Sequence, residues 1–157
     1  MANTIANELS KVDPDNAQYY QQNLQQFSQR LKTLSQKIKA DLKPLKDKPY
    51  VVFHNNWQYF AYYFGLHEPS VVSMQESITP GIKSILKMRQ HIEEKNIHCI
   101  FSDPQTTRQR IKTLTENIKI KNVEIDVLGR GLLLNKDSYA SWLEDMSTQI
   151  KACLEED

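Results

Sequence analysis

Short apolar runs that alternate with stretches of helical periodicity dominate the sequence after residue 49. Each run is rich in β-branched and aromatic residues, which favours strands. The predicted strands cover residues 50–53, 70–74, 98–102 and 123–128, and the predicted helices cover about 56–64, 81–95, 106–118 and 138–154. Strand and helix in alternation are typical of a parallel sheet with flanking helices. The sequence therefore predicts an α/β fold built on a four-stranded, mostly parallel sheet.

The sequence before residue 49 has the pattern of long helices. Residues 1–12 resemble the last turns of one helix, and residues 17–45 form an apolar stripe of about seven helical turns. The stripe consists of Tyr20, Leu24, Phe27, Leu31, Leu34, Ile38, Leu42 and Leu45. It suits packing on the chain's own domain or pairing as a coiled coil. We predict two parts, 1–48 with the long helix and 49–157 as an α/β lobe.

A chain of 157 residues with 39% hydrophobic residues is long enough to bury one ordinary core. Two predicted helices show which side chains would enter it. The inward faces are predicted to be Ile82, Ile85, Leu86 and Ile92 in one helix, and Tyr139, Trp142, Leu143, Met146 and Ile150 in the last helix.

Charge and composition exclude several classes of function. The formal net charge is +1 with both signs interspersed, so no nucleic-acid partner is expected. No apolar stretch approaches the ~20 residues that span a bilayer, and the first residues lack the pattern of a secretory signal. The sequence contains no Gly-rich phosphate loop, no Ser on a strand-to-helix elbow and no evident Cys–His pair, so it does not predict an enzyme.

Polar residues that follow predicted strands are the binding candidates, because open parallel sheets bind ligands at the carboxyl ends of their strands. These residues are His54, Glu76, Asp103 and Asp126. His54 directly follows the first strand, and Asp126 ends the last strand just before two glycines that let the loop bend. Each has a structural alternative: His54 as a helix cap or a partner of a backbone carbonyl, and Asp126 as a turn residue. Glu76 and Asp103 have the context of ordinary turn residues.

The cysteines and remaining histidines give weaker signals. Cys99 and Cys153 fit either two buried thiols or one bridge, and the residues favour neither. No HxxxH, CxxC or HExxH pattern occurs. The residues alone therefore leave both the redox state and a metal site open.

Several segments in a fixed order resemble the ZnuA-type zinc-binding proteins of the cluster A-I solute-binding family. They are YVVFHNNWQYFAYYFGL (50–66), SMQESITPG (73–81), CIFSDPQ (99–105), EIDVLG (124–129) and SYASWLEDMSTQIKACL (138–154). The resemblance implies a TroA-like fold, in which two α/β lobes joined by a long helix hold zinc between them. This chain would supply the carboxy-terminal lobe and the connecting helix, with the other lobe upstream.

The resemblance also implies roles for individual residues. His54 matches a histidine ligand of the carboxy-terminal lobe. Asp126 matches a carboxylate ligand of manganese-binding relatives, which lies near the metal in zinc-binding ones. Cys99 and Cys153 match the cysteines that form a disulfide in zinc-specific members. Asn55 and Val127 depart from the Asp and Pro that the family often has at these positions.

The function that the resemblance implies is the substrate-binding component of a high-affinity zinc ABC importer in the periplasm. Its partners would be Zn²⁺, which favours imidazole nitrogen in a tetrahedral shell, and the ABC permease. Because this chain offers only one or two ligands, we expect a partial site with weak zinc binding. Two alternatives stay open: manganese as the metal, and a homodimer through the long helix or the bare lobe face, with zinc bridging two copies of His54.

Overall fold

The structure, a computed structural model, describes residues 1–72 and 81–155. The helices are α1 (Ala2–Val12), α2 (Ala17–Leu42), α3 (Gln58–Phe64), α4 (Ile82–Glu94), α5 (Arg108–Thr115) and α6 (Ser138–Leu154). The strands are β1 (Val51–Val52), β2 (Ser70–Val71), β3 (Cys99–Ser102) and β4 (Lys121–Glu124). Across these two ranges, no helix is both long enough and apolar enough to cross a membrane.

The chain divides into two compact units between Lys37 and Ile38, inside α2. The first unit holds α1 and most of α2, joined by a 3-10 turn at Pro14–Asn16. Its turn is fixed by the Asp13 carboxylate, which accepts hydrogen bonds from the Tyr20 hydroxyl at 2.6 Å and the Asn16 amide at 2.9 Å. The domain boundary between residues 48 and 49 stays a prediction.

The apolar stripe of the long helix lies on its less exposed side. Ile38, Leu42 and Leu45 are buried, and the other predicted positions are partly buried. The α-helix ends at Leu42, three residues earlier than predicted, and Lys43–Leu45 form a 3-10 turn. Pro44 explains the early end, because proline lacks an N–H and disfavours α geometry in the residue before it.

The second unit contains a four-stranded sheet with the order β2-β1-β3-β4. All three strand pairs are parallel, which confirms the predicted fold class. The register pairs Val52 with Phe101 and Phe101 with Val123. Predicted strand 123–128 is shifted: β4 starts at Lys121 and ends at Glu124, because Lys121 and Asn122 pair with Cys99 and Ile100 through their backbones. Residues 73 and 74 of the second predicted strand lie outside the described residues.

Side chains from β1, β3 and the helices form one core. A cluster of Val51, Phe53, Ile92, Ile97, Ile100 and Leu114 is buried, and each such side chain contributes roughly 1.5–3 kcal/mol by leaving water. In α6, Leu143, Met146 and Ile150 are buried as predicted.

Two residues predicted to face inward are exposed. Leu86 is 58% exposed, because Ile85 and Ile92 define the buried face of α4 and Leu86 lies about 100° around the helix from Ile85. Tyr139 is 50% exposed and lies against the Trp142 ring, with centroids 5.7 Å apart, at the start of α6. The side chain of Ile82 lies outside the described residues.

A disulfide joins Cys99 of β3 to Cys153 of α6, with the Cα atoms 5.7 Å apart. Both cysteines are buried, at 2% and 1% exposure. The pairing that the resemblance implies is therefore present, and it links the sheet covalently to the last helix.

Candidate metal centre

His54 and Asp103 meet at the carboxyl edge of the sheet. Because Val52 is opposite Phe101 in adjacent parallel strands, residues two positions further along both chains are also opposite each other. Those residues are His54 and Asp103, and their Nδ1 and Oδ2 atoms are 2.6 Å apart. The strand register thus produces a contact between residues 49 positions apart in sequence.

Aromatic rings flank the turn that carries His54. Tyr50, just before β1, stacks on Trp57 with centroids 5.5 Å apart, and both rings contact Phe101 of β3. The side chains of His54 and Asp103 are only 8% and 6% exposed. The imidazole and the carboxylate therefore interact in a largely dry environment, where hydrogen bonds to charged groups are strong.

Asp103 is held from a second direction. Its Oδ1 accepts hydrogen bonds from the backbone N–H groups of Gln105, at 2.8 Å, and Thr106, at 3.0 Å, and from the Thr106 hydroxyl at 3.2 Å. Burial by itself raises the pKa of the Asp103 carboxyl, but the hydrogen bonds from His54, Gln105 and Thr106 outweigh it and hold the pKa below its usual value. Asp103 is therefore an anionic acceptor at neutral pH.

An anionic acceptor at Nδ1 determines which ring nitrogen of His54 carries the proton and which has a free lone pair. Because the Asp103 carboxylate can only accept, Nδ1 of His54 donates a hydrogen bond to it, and a neutral imidazole then carries its lone pair on Nε2. Nε2 is buried and has no hydrogen-bond partner within the described part of the chain. Buried polar atoms without a partner are uncommon in proteins. A metal-binding histidine has this arrangement, with one nitrogen bonded to a carboxylate and the other available.

Asp126 lies in the turn after β4, two residues beyond the strand that it was predicted to end. Its carboxylate accepts hydrogen bonds from the backbone N–H groups of Leu128, at 3.1 Å, and Arg130, at 2.6 Å. The Arg130 guanidinium is 4.0 Å away. These contacts hold residues 126–130 in a turn just after β4.

Asp126 is also distant from His54 in the sheet order. Strand β3 separates β1 from β4, so two strand spacings, about 10 Å, lie between the two rim positions. Within residues 1–72 and 81–155, no group of three or more His, Cys, Asp or Glu side chains is arranged to hold a metal ion. Glu76 lies outside the described residues.

Sequence reasoning treated Asp103 as an ordinary turn residue and missed its contact with His54. The turn is real, since Gln105 and Thr106 bond back to Asp103. The missing information was the strand order, because only adjacency of β1 and β3 brings the two side chains together. The helix-cap alternative for His54 does not describe its contacts, since α3 begins later, at Gln58.

A family model and curated relatives of known sequence both match this chain. The family described as "Zinc-uptake complex component A periplasmic" matches residues 1–153. The chain is 31% identical over 154 residues to the high-affinity zinc uptake system protein ZnuA of Brucella abortus (strain 2308). It is 32% identical over 154 residues to ZnuA of Haemophilus influenzae. In both cases the match covers 98% of this chain and 46% of the relative, so the chain spans about half the length of these proteins.

Two solved structures of ZnuA have a fold similar to that of this chain. A crystal structure of ZnuA superposes with a TM-score of 0.81 at 25% identity, covering 98% of this chain and 56% of that one. A zinc-bound ZnuA with residues 138–173 deleted has a TM-score of 0.79 at 25% identity, covering 99% and 56% of the two chains. The family is that of a zinc-uptake component and not of an enzyme. With a match over residues 1–153, this chain belongs to the ZnuA family.

Proposed function

We propose that this chain is part of the substrate-binding component of a zinc ABC importer, and that His54 binds the zinc cargo through Nε2. The observation that carries the proposal is the buried Nε2 without a hydrogen-bond partner in the described chain, on a ring whose Nδ1 donates to Asp103. Imidazole nitrogen is a preferred zinc ligand at roughly 2.0–2.1 Å. The ZnuA relatives support zinc as the cargo.

Asp126 is proposed as a second, weaker oxygen donor. Its carboxylate already accepts two backbone hydrogen bonds and lies beside Arg130, so binding a cation would mean sharing those acceptor sites. The positive guanidinium also opposes a dication at this position. We therefore expect His54 to contribute more to zinc affinity than Asp126.

One imidazole and one shared carboxylate do not complete a tetrahedral shell. Because the chain spans 46% of its relatives, we propose that the remaining ligands belong to another lobe of a longer protein. On its own, the chain should bind zinc weakly. We also propose a periplasmic location and delivery to an ABC permease, and the Cys99–Cys153 bridge supports an oxidising compartment.

The test is a zinc titration of the purified chain against a competing chelator. The His54→Ala variant is compared with His67→Ala, a matched change at an exposed histidine whose Nδ1 contacts the Glu68 carbonyl. We expect weak binding that His54→Ala removes and His67→Ala retains, with Asp126→Asn intermediate. Zinc binding that is unchanged by His54→Ala would refute the proposed ligand.

Molecular mass and metal competition, measured in the same samples, separate the alternatives. Tight one-to-one binding by a monomer would contradict a partial site. A doubling of mass with zinc that His54→Ala abolishes would show that zinc bridges two copies of the chain. If the chain binds manganese more tightly than zinc, manganese and not zinc is the cargo.

A further inference from the structure

We infer that Asp103 is a positioning residue for His54, and that Thr106 holds Asp103 in place so that Nε2 is the nitrogen presented to zinc. This inference rests on the proposed function, because it concerns how the same site is prepared. It adds to that function a hydrogen-bonded Asp103–His54 pair that is held by the turn between β3 and α5.

Asp103 acts through His54 and not as a ligand, because one of its oxygens is bonded to the His54 ring itself and the other accepts three hydrogen bonds. Oδ2 accepts from His54 Nδ1 at 2.6 Å, and the Asn56 amide lies 3.5 Å from the same oxygen. Oδ1 accepts three hydrogen bonds, two from Thr106 and one from Gln105. These donors use the lone pairs that a carboxylate offers. Among residues 1–72 and 81–155, the other ring nitrogen of His54, Nε2, has no hydrogen-bond partner.

Backbone hydrogen bonds reinforce the turn that holds Asp103. The Thr106 N–H also donates to the Asp103 carbonyl at 2.9 Å, which closes the turn directly after β3. Thr107 then caps α5 by accepting a hydrogen bond from the Arg110 N–H. Asp103 and Thr106 are 4% and 6% exposed. Asp103 is thus fixed between a central strand and a helix start, a placement that holds functional groups accurately.

Positioning matters because an imidazole has two neutral tautomers and can rotate about its side-chain bonds. Without the Asp103 oxygen 2.6 Å from Nδ1, the ring proton can move to Nε2 and block the metal-binding lone pair. Loss of such a partner typically lowers metal affinity by roughly 10- to 100-fold. The Thr106 hydroxyl supplies one of several hydrogen bonds to Asp103, so its loss should have a smaller effect in the same direction.

The test compares Asp103→Ala, Asp103→Asn and Thr106→Val by zinc affinity and by the ¹⁵N chemical shifts of the His54 ring in metal-free protein. We expect Asp103→Ala to weaken zinc binding roughly 10- to 100-fold and to shift the tautomer toward a proton on Nε2. Asp103→Asn, which keeps a neutral acceptor, should fall between Asp103→Ala and the unchanged protein. Thr106→Val should show a smaller loss, while Thr113→Val, a matched change at an exposed hydroxyl bonded within α5, should show none.

The outcomes distinguish this inference from the proposed function. If His54→Ala abolishes zinc binding but Asp103→Ala stays within twofold of the unchanged protein and keeps the tautomer, the positioning role is wrong and the ligand assignment stands. If the His54→Ala variant still binds zinc, His54 is not the ligand and the proposed function is wrong, whatever Asp103 does. If Asp103→Ala does not fold, Thr106→Val decides: no change in either affinity or ring shifts would overturn the inference.

Discussion

The indole Nε1 of Trp142 donates a hydrogen bond to the backbone carbonyl of Asp126, with the two atoms 2.7 Å apart. The bond ties the last helix, α6, to the turn after β4. The Asp126 carboxylate holds the same turn from its other side by accepting from Leu128 and Arg130. The position of a candidate ligand thus depends on a tryptophan 16 residues later.

Trp142→Phe should lower the free energy of unfolding by about 1–3 kcal/mol, because it leaves a partly buried carbonyl without its donor. Urea unfolding of the purified chain measures this change. Tyr59→Phe, at an exposed ring, is the control and should stay within about 0.5 kcal/mol. Equal stability of Trp142→Phe and the unchanged chain would show that the bond does not hold the turn.

Gly129→Ala should destabilise the same turn by about 1–2 kcal/mol, because residue 129 has a φ of +66° that an L side chain rarely adopts. A Cβ there would also lie 2.7 Å from the end of the Leu132 side chain. Gly131→Ala is the matched control, since its Cβ would meet nothing within 4 Å. If urea midpoints of the two variants coincide, the left-handed backbone at residue 129 is not required.

Reduction of the Cys99–Cys153 bond should lower the free energy of unfolding by about 4 kcal/mol, because the bridge closes a loop of 54 residues in the unfolded chain. Urea unfolding with and without dithiothreitol measures the difference. The double variant Cys99→Ala, Cys153→Ala controls for other effects of the reductant, and its stability should not respond to it. If the oxidised and the reduced chain unfold at the same urea concentration, the prediction is wrong.

The turn between α1 and α2 should respond to pH through Asp13. The hydrogen bonds from the Tyr20 hydroxyl and the Asn16 amide hold the pKa of Asp13 below its usual value. Because the folded-state pKa is lower than the unfolded-state pKa, this stabilisation is present above about pH 4 and is lost as the pH falls through the folded-state value.

Tyr20→Phe should therefore raise the pKa of Asp13 toward its usual value, and an NMR titration of the carboxyl group measures it. Tyr19→Phe, which keeps the Tyr20 hydroxyl, is the control. An unchanged Asp13 titration in Tyr20→Phe would mean that the hydroxyl does not stabilise the carboxylate.

The fold was predictable because its parallel sheet leaves a strong local pattern. Central strands β1 and β3 are buried, so their sequences are continuous apolar runs. Edge strand β4 was misplaced because Lys121 and Asn122 pair through their backbones and remain exposed. An apolar run therefore locates a strand with buried or partly buried side chains better than a strand such as β4, whose side chains are mostly exposed.

The candidate site was predictable only in part. His54 could be identified because it directly follows an apolar run and matches a family motif. The role of Asp103 depends on the adjacency of β1 and β3, a long-range fact that local sequence does not carry. The hydrogen bonds that Asp126 makes are local, but sequence reasoning could not choose between a turn and a ligand because the same carboxylate suits both.

The buried Cys99–Cys153 bond can serve as a chemical reporter of refolding. With α6 packed against β3 their Cα atoms are 5.7 Å apart, a separation that a disulfide spans without backbone movement. Alkylation of free thiols at successive times during oxidative refolding would measure the fraction of chains in which the bond has not yet formed. The covalent link between the two elements thus provides a chemical readout during refolding as well as stabilising the folded lobe.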